Sequence, residues 1–283
     1  MSRLEVIKTY KLFIGGKFPR TESGRSLAIE HADGRAVAHL CRASRKDLRN
    51  AVETATKAQP AWARANAYLR GQILYRMAEM VEGKRSELSD AIAALGTVSE
   101  ADAVAEVDRA TDRLVVFAGW ADKYQQLIGC HNPVSGPYYN FSVPEPTGVI
   151  GAIASDTEPL LGLVTLIAPA ICSGNAVIAL ASESNPIPAC VLAEALATSD
   201  LPGGVVNILT GRRDELLDHF ASHREIGGLT ALGVSDAERE QLEAGVAENL
   251  KRVSYIARDS GTDGPWTIAP FVEVKTIWHP SSA

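Results

Sequence analysis

The sequence predicts an α/β protein, a parallel β-sheet covered by helices on both faces, and three observations carry that expectation. From Gly148 onward, short runs of uninterrupted apolar residues (Gly148 to Ile153, Ala176 to Leu180, Val205 to Leu209) alternate with helix-length segments. Strands that are apolar throughout are buried on both faces, as parallel strands joined by right-handed helical crossovers are. Ahead of them, between Ser44 and Leu127, apolar residues recur every three or four positions, the period of helices with one buried stripe. Between the two regions lies Pro137 to Pro144, aromatic and β-branched between prolines, which reads as an edge strand or an arm.

Composition narrows the function classes. The chain has 283 residues, 46% of them hydrophobic, enough for one substantial core or two modest ones. Its net charge is −6 and no basic run is visible, which argues against nucleic acid as a ligand. No apolar run reaches the roughly 18 residues of a membrane span; the longest, Pro159 to Cys172, has the length of a buried core helix. The N-terminus shows no apolar leader segment. Four cysteines (Cys41, Cys130, Cys172, Cys190) lie far apart with no Cys-x-x-Cys pair, which suits a reducing cytoplasm.

The elements follow in order. Leu12 to Phe18 is a tight hairpin in which Gly15-Gly16 supplies the positive φ angles of the turn, and Asp33-Gly34 is a second turn. Ser44 caps a helix with Asp47 in its first turn and Leu48, Val52 and Ala55 as its stripe. Further helices are expected over Ala67 to Ala94 and Ala101 to Leu127. After the first sheet strand, Pro159 to Cys172 is a helix stopped at Ser173-Gly174, Ile187 to Thr198 and Asp214 to Ala221 are helices, and Ile226 to Leu232 is a strand. Residues 235–249 read as a polar helix, 253–257 as a strand, 259–267 as a loop, and Phe271 to Trp278 as a last alternating strand. Ligands in such sheets sit at the carboxyl ends of the strands.

Several stretches resemble the aldehyde dehydrogenase superfamily in order and spacing. They are the Leu12-Phe-Ile-Gly-Gly hairpin, Ala58-Gln-Pro-Ala-Trp62, Glu145-Pro-Thr-Gly-Val-Ile-Gly151, Ala168-Pro-Ala-Ile-Cys-Ser-Gly-Asn175, Leu201 to Gly211, and Glu273-Val-Lys-Thr-Ile-Trp278. Ser182-Glu183, Thr198 to Pro202, Gly211 to Glu215 and Asn249 to Arg252 are similar to the non-catalytic second module of family 16 aldehyde dehydrogenases. The resemblance implies a Rossmann-like sheet with an N-terminal helical segment and a small β oligomerisation arm built from two distant strands. It divides the chain into a hairpin and helices packing on the sheet (1–136), arms (137–146 and 268–280), a degenerate dinucleotide-binding-like βαβ unit (147–234), and a helix and linker (235–267) where the family has its catalytic domain. Gly233 and Phe271 stand so close in sequence that this chain is expected to lack that domain.

What the resemblance implies for chemistry is mostly loss. The family's oxyanion asparagine corresponds to Thr157, whose shorter side chain leaves a vestigial position. Its ribose-binding Lys-Pro-Ser/Ala-Glu corresponds to Leu180-Ala-Ser182-Glu183, which keeps the glutamate and loses the lysine. Gly211-Arg-Arg-Asp-Glu replaces a Gly-x-Gly stretch, and Gly233-Val-Ser replaces Gly-Ser-Thr, so Ser182, Glu183, Gly211 and Gly233 are vestigial cofactor positions. No cysteine matches the nucleophile, and the general-base glutamate has no counterpart. Cys172 and Cys190 read as core residues and Cys41 and Cys130 as more exposed. His219 and His223 share a helix face without a metal motif, and no metal site is expected.

The arms remain. Tyr139, Phe141 and Val143 in the first and Val274, Thr276 and Trp278 in the second are the expected subunit interface. The expected function is a non-catalytic subunit, a pseudoenzyme, that assembles with and supports a catalytic NAD(P)-dependent aldehyde dehydrogenase chain, or with itself. The alternatives are an NAD- or NADP-binding oxidoreductase using Thr157, Glu183 and Asp156 at the strand ends, and a structural homodimer. No cofactor is expected, NAD or NADP being the alternative's requirement.

Overall fold

The structure is a computed structural model and describes residues 6–257 and 263–281. The chain opens with β1 (Lys8–Tyr10), β2 (Ser26–Glu30) and β3 (Ala36–Cys41), a three-stranded sheet with β3 in the centre. The Leu12 to Phe18 hairpin forms as expected: Ile14 and Lys17 exchange both backbone hydrogen bonds, and Gly15 and Gly16 sit at φ 65° and 73°. Phe13 bridges to Ile208 in backbone pairing, so the hairpin is tied to the edge of the main sheet.

Helix α1 (Arg45–Arg64) begins where the sequence places it. The Ser44 hydroxyl accepts from the Asp47 amide at 3.3 Å, and the Asp47 carboxylate accepts from the Ser44 amide at 2.8 Å. The single helix expected over 67–94 is instead two, α2 (Ala67–Gly83) and α3 (Arg85–Ala93). The break falls at Gly83-Lys84, where glycine weakens the helix and the Lys84 ammonium bonds Glu87 and Glu194. The helix expected to Leu127 also divides, into α4 (Glu100–Trp120) and α5 (Tyr124–Ile128), with fully buried Tyr124 starting the short second piece.

The chain then forms β4 (Cys130–Asn132) and β5 (Tyr138–Pro146) before entering the alternating unit. That unit runs β6 (Val149–Ile153), α6 (Pro159–Cys172), β7 (Ala176–Leu180), α7 (Ile187–Leu196), β8 (Val206–Leu209), α8 (Arg213–Ser222), β9 (Gly228–Leu232), α9 (Asp236–Ala247) and β10 (Arg252–Ile256). The five strands are all parallel, in the order β10-β9-β6-β7-β8. Strand order reverses beside β6, so β6 and β9 flank the switch point. Every residue of β6, β7, β8 and β9 is buried, as the unbroken apolar runs require.

Helix α6 is buried on all sides, with 14 of 14 residues inside, because α4 and α2 cover the face turned away from the sheet. Its N-terminus has no local cap, since Glu158 sits at φ 54°. Glu106 of α4 supplies one instead: its Oε1 accepts from the Leu160 and Leu161 amides at 2.8 and 3.1 Å. Glu106 is buried, and burial raises its pKa against the opposing pull of the two amides. The folded protein therefore holds this proton more tightly than the unfolded chain. The resulting cost to stability is absent below the ordinary carboxylate range and grows as pH rises through the folded pKa. Glu106→Gln keeps the acceptor and is expected to remove this component of the pH dependence without loss of stability at neutral pH. Glu106→Ala orphans two buried amides and is expected to cost about 1–3 kcal/mol. Thermal denaturation from acid to neutral pH distinguishes the two; equal losses in both variants would remove the capping role.

The last strand, β11 (Val272–Pro280), pairs antiparallel with β5 through nine residues, Val272 opposite Pro146 and Pro280 opposite Tyr138. The expected edge strand or arm over 137–144 is thus the centre of a three-stranded sheet, order β11-β5-β4. Close packing at Gly129 turns β4 back onto β5: a Cβ there would meet the Gln125 and Ser142 carbonyls at 2.6 and 2.9 Å. The expected loop over 259–267 lies partly outside the described residues; Pro265–Thr267 forms one 3₁₀ turn. Among the described residues no helix is long and apolar enough to cross a membrane.

Candidate functional site

The carboxyl ends of β6, β7 and β9 converge at the switch point, and the side chains there bond one another. Asp156, after β6, accepts through Oδ1 from the Ser182 hydroxyl and the Glu183 and Ser184 amides, at 3.0, 2.7 and 3.0 Å. Thr157 lies in the same turn, its hydroxyl 2.8 Å from Ser155 Oγ, to which its amide also donates. It serves as a turn residue bonded to Ser155. Ser182 is buried in this network and also receives the Asn185 amide.

Glu183 does not stand free as a ribose acceptor or a solvated loop residue. Its Oε2 accepts from the Arg213 amide at 2.8 Å, capping α8, whose own N-cap Arg212 offers no side-chain bond. Gly211 packs against Ala43 and Leu216, with a Cβ position 3.3 Å from the Ala43 nitrogen. Gly233 sits at φ 68°, and a Cβ there would fall 2.5 Å from Ser155 Oγ. Both glycines answer to close packing.

The centre of the crevice belongs to Arg213. Its residue surface is only 7% exposed. One terminal nitrogen donates to the Ala154 carbonyl at 2.5 Å, and the other lies 3.0 Å from Asp156 Oδ2 and 3.4 Å from Glu238 Oε1. Its Nε is buried without a hydrogen-bond partner. Glu238 in turn closes the N-terminus of α9: its Oε2 accepts from the Ser235 amide at 2.7 Å, and its own amide donates to Ser235 Oγ. A pyrophosphate bound at such a helix start needs free amides and positive potential. Here the Arg213, Ser235 and Glu238 amides are engaged, and two carboxylates, Asp156 and Glu238, flank the place. A dinucleotide does not fit these residues.

In the sequence, Arg212 and Arg213 bring bulk and charge where backbone should approach a cofactor and could also offset the nearby acids, Glu238 among them, at an altered anion site. The signal missed is their complementarity: an arginine where backbone should approach a phosphate, and an acid where a second glycine belongs.

Elsewhere, burial lowers the Lys251 pKa to about 8, and three of the four cysteines are buried. Cys172 is fully buried and its thiol is pushed up to about 12 by desolvation. Burial also drives the Cys190 thiol upward. Cys41, expected to be exposed, is 5% exposed, because β3 packs under α1 and α8. Cys130 is exposed on β4. His223 caps the end of α8, its Nδ1 accepting from the Glu225 amide, with burial and nearby Lys251 lowering its pKa. It lies with His219 in a cleft of about 530 Å³ between the α1 start and α8.

The arm sheet brings together only part of the expected interface on each side. Cross-strand register puts Trp278 opposite Asn140, Thr276 opposite Ser142 and Val274 opposite Pro144. These lie on one face, where Thr276 and Ser142 hydroxyls are 3.1 Å apart and Tyr138 meets Trp278 edge-on. Tyr139, Phe141 and Val143 project from the other face, beside Ile277, which pairs with Phe141, and His131. The six residues expected to form one interface therefore divide three and three. Tyr139, Val274 and Trp278 are each more than half exposed.

A five-stranded parallel sheet with a crevice at its switch point, joined to a three-stranded arm sheet, defines a Rossmann-like α/β fold. The chain belongs to the aldehyde dehydrogenase family, whose model matches residues 19–261. It is 33% identical to retinal dehydrogenase 2 of Mus musculus over 253 residues, 88% of this chain and 48% of that protein. Over 254 residues it is 31% identical to cytosolic aldehyde dehydrogenase 1 of Elephantulus edwardii, again covering 88% of this chain and 50% of the relative. Among solved structures, PnpE from Pseudomonas sp. WBC-3 in complex with nicotinamide adenine dinucleotide superposes with TM-score 0.82 at 27% identity, covering 87% of this chain and 50% of PnpE. HpcC from Thermus thermophilus gives 0.82 at 28%, covering 87% and 48%. The chain spans about half the length of the relatives it matches.

Proposed function

We propose that this chain is a non-catalytic aldehyde dehydrogenase-like subunit that assembles through its arm sheet with a catalytic NAD(P)-dependent aldehyde dehydrogenase, or with a second copy of itself. The observation that carries this reading is the arm: a nine-residue antiparallel pair exposing aromatic and aliphatic side chains on both faces. Such a surface calls for a covering partner. The sealed strand-end crevice and the deeply buried Cys172 and Cys190 support a role without chemistry. The free thiols support a reducing, cytoplasmic compartment.

Co-expression with a full-length aldehyde dehydrogenase from the same source, followed by light-scattering mass, tests the proposal. A mixed complex is expected, with aldehyde oxidation that depends on the partner's nucleophilic cysteine. Phe141→Glu with Ile277→Glu, a directly paired set, is expected to release the subunit as a monomer with an unchanged far-ultraviolet spectrum. A defined complex of this chain with itself selects the self-assembly form of the proposal. A monomer indifferent to all partners would end it.

A further inference from the structure

The Arg213 cluster does more than spoil a binding site. Arginine buried to this degree needs compensating charge and hydrogen bonds. Both are built here from two separate segments: Ala154 and Asp156 follow β6, and Glu238 belongs to the helix that follows β9. The backbone of Arg213 is bonded to a third segment through Glu183. One residue thus links every loop that meets at the switch point, the place where a bound dinucleotide links the same loops in folds of this class.

We infer that Arg213 is an internal stand-in for the dinucleotide, a fixed cation whose side chain joins the segments after β6 and β9, whose backbone amide is tied to the loop after β7, and which closes the crevice to nucleotides. The inference deepens the non-catalytic reading but is tested on the chain alone, so failure to form a mixed complex leaves it untouched.

Two measurements test it. Calorimetric titration of the wild-type protein with NAD and with ADP, up to millimolar concentration, is expected to give no heat, with no rise in melting temperature. Binding of either nucleotide would overturn the inference. The second is a double-mutant cycle in melting temperature between Arg213→Met and Glu238→Gln. Glutamine retains the capping of α9 and removes only the charge. Arg213→Met is expected to lower the melting temperature by roughly 5 °C or more. The double variant is expected to lose less than the sum of the two. Additive losses would show that the guanidinium and carboxylate do not act together, and would overturn the lock. If the Met variant does not fold, Arg213→Lys, which keeps the charge but not the planar fork, runs the same cycle.

Discussion

Trp62→Ala is expected to lower stability by about 3–5 kcal/mol. Trp62 is 2% exposed and lies in the last turns of α1, where Pro60 and Ala61 precede it. Its indole Nε1 donates to the Ile171 carbonyl at 2.9 Å, an oxygen near the end of α6 that also accepts from the Gly174 amide at 3.0 Å. Gln59 reaches the Gly174 carbonyl beside it. The side chain therefore fills core volume and holds the outer helix to the central one. Alanine leaves a cavity between two rigid helices and removes the indole hydrogen bond between them. Trp62→Phe keeps most of the volume and loses only the donor, so its cost should be nearer 1–3 kcal/mol. Guanidinium unfolding separates the two, with the midpoint moving and the slope unchanged. A Trp62→Ala loss below that of Trp62→Phe would contradict the packing argument.

Gly151→Val is expected to destabilise by about 1–3 kcal/mol or more by overpacking. Gly151 is central in β6, and its φ is one that any residue adopts, so the constraint is spatial. A Cβ there would fall 2.5 Å from Leu229 Cδ2 and 2.9 Å from Phe220 Cδ1. Phe220 is fully buried on α8 and Leu229 lies on the adjacent strand β9, so neither has open space to enter. Gly151→Ala should cost less, because it adds one carbon to this space instead of three. Leu229→Ala should rescue the Val variant in part, giving a favourable coupling in the double mutant. Denaturant midpoints of the three variants and the double would check this; no rescue would place the strain elsewhere.

The alternating unit was legible because its strands carry their signal locally. β7 and α6 fall where the sequence placed them, since an unbroken apolar run bounded by Ser-Gly or Asn admits few readings. The capping of α1 was legible for the same reason, Ser44 and Asp47 being three residues apart. The helix breaks at Lys84 and after Trp120 were not, because the apolar period continues across both while tertiary contacts set the chain's direction. β1 and β4, three residues each, are too short to show a period and exist only through pairing with β3 and β5. At the candidate site, the loss of the lysine and of the glycines was visible residue by residue. That Arg213, Asp156 and Glu238 would find one another was not, since they come from loops far apart in sequence. The arm was recognised as two strands. Its register, which sends Phe141 and Trp278 to opposite faces, required the pairing itself.

The arm has a kinetic consequence that follows from its ladder. Ser142 and Thr276 bond across it yet are 134 positions apart, so closing that loop from the unfolded chain carries a large entropy cost. The folded sheet removes most of that cost by fixing both ends at its base. The Thr147 amide donates to the Phe271 carbonyl at 3.1 Å, and the buried Asn175 amide reaches the same oxygen at 2.9 Å. The ladder starts at this clamp, next to β6, α6 and β7. The arm sheet is thus held at its base by the interior, and its integrity depends on that clamp.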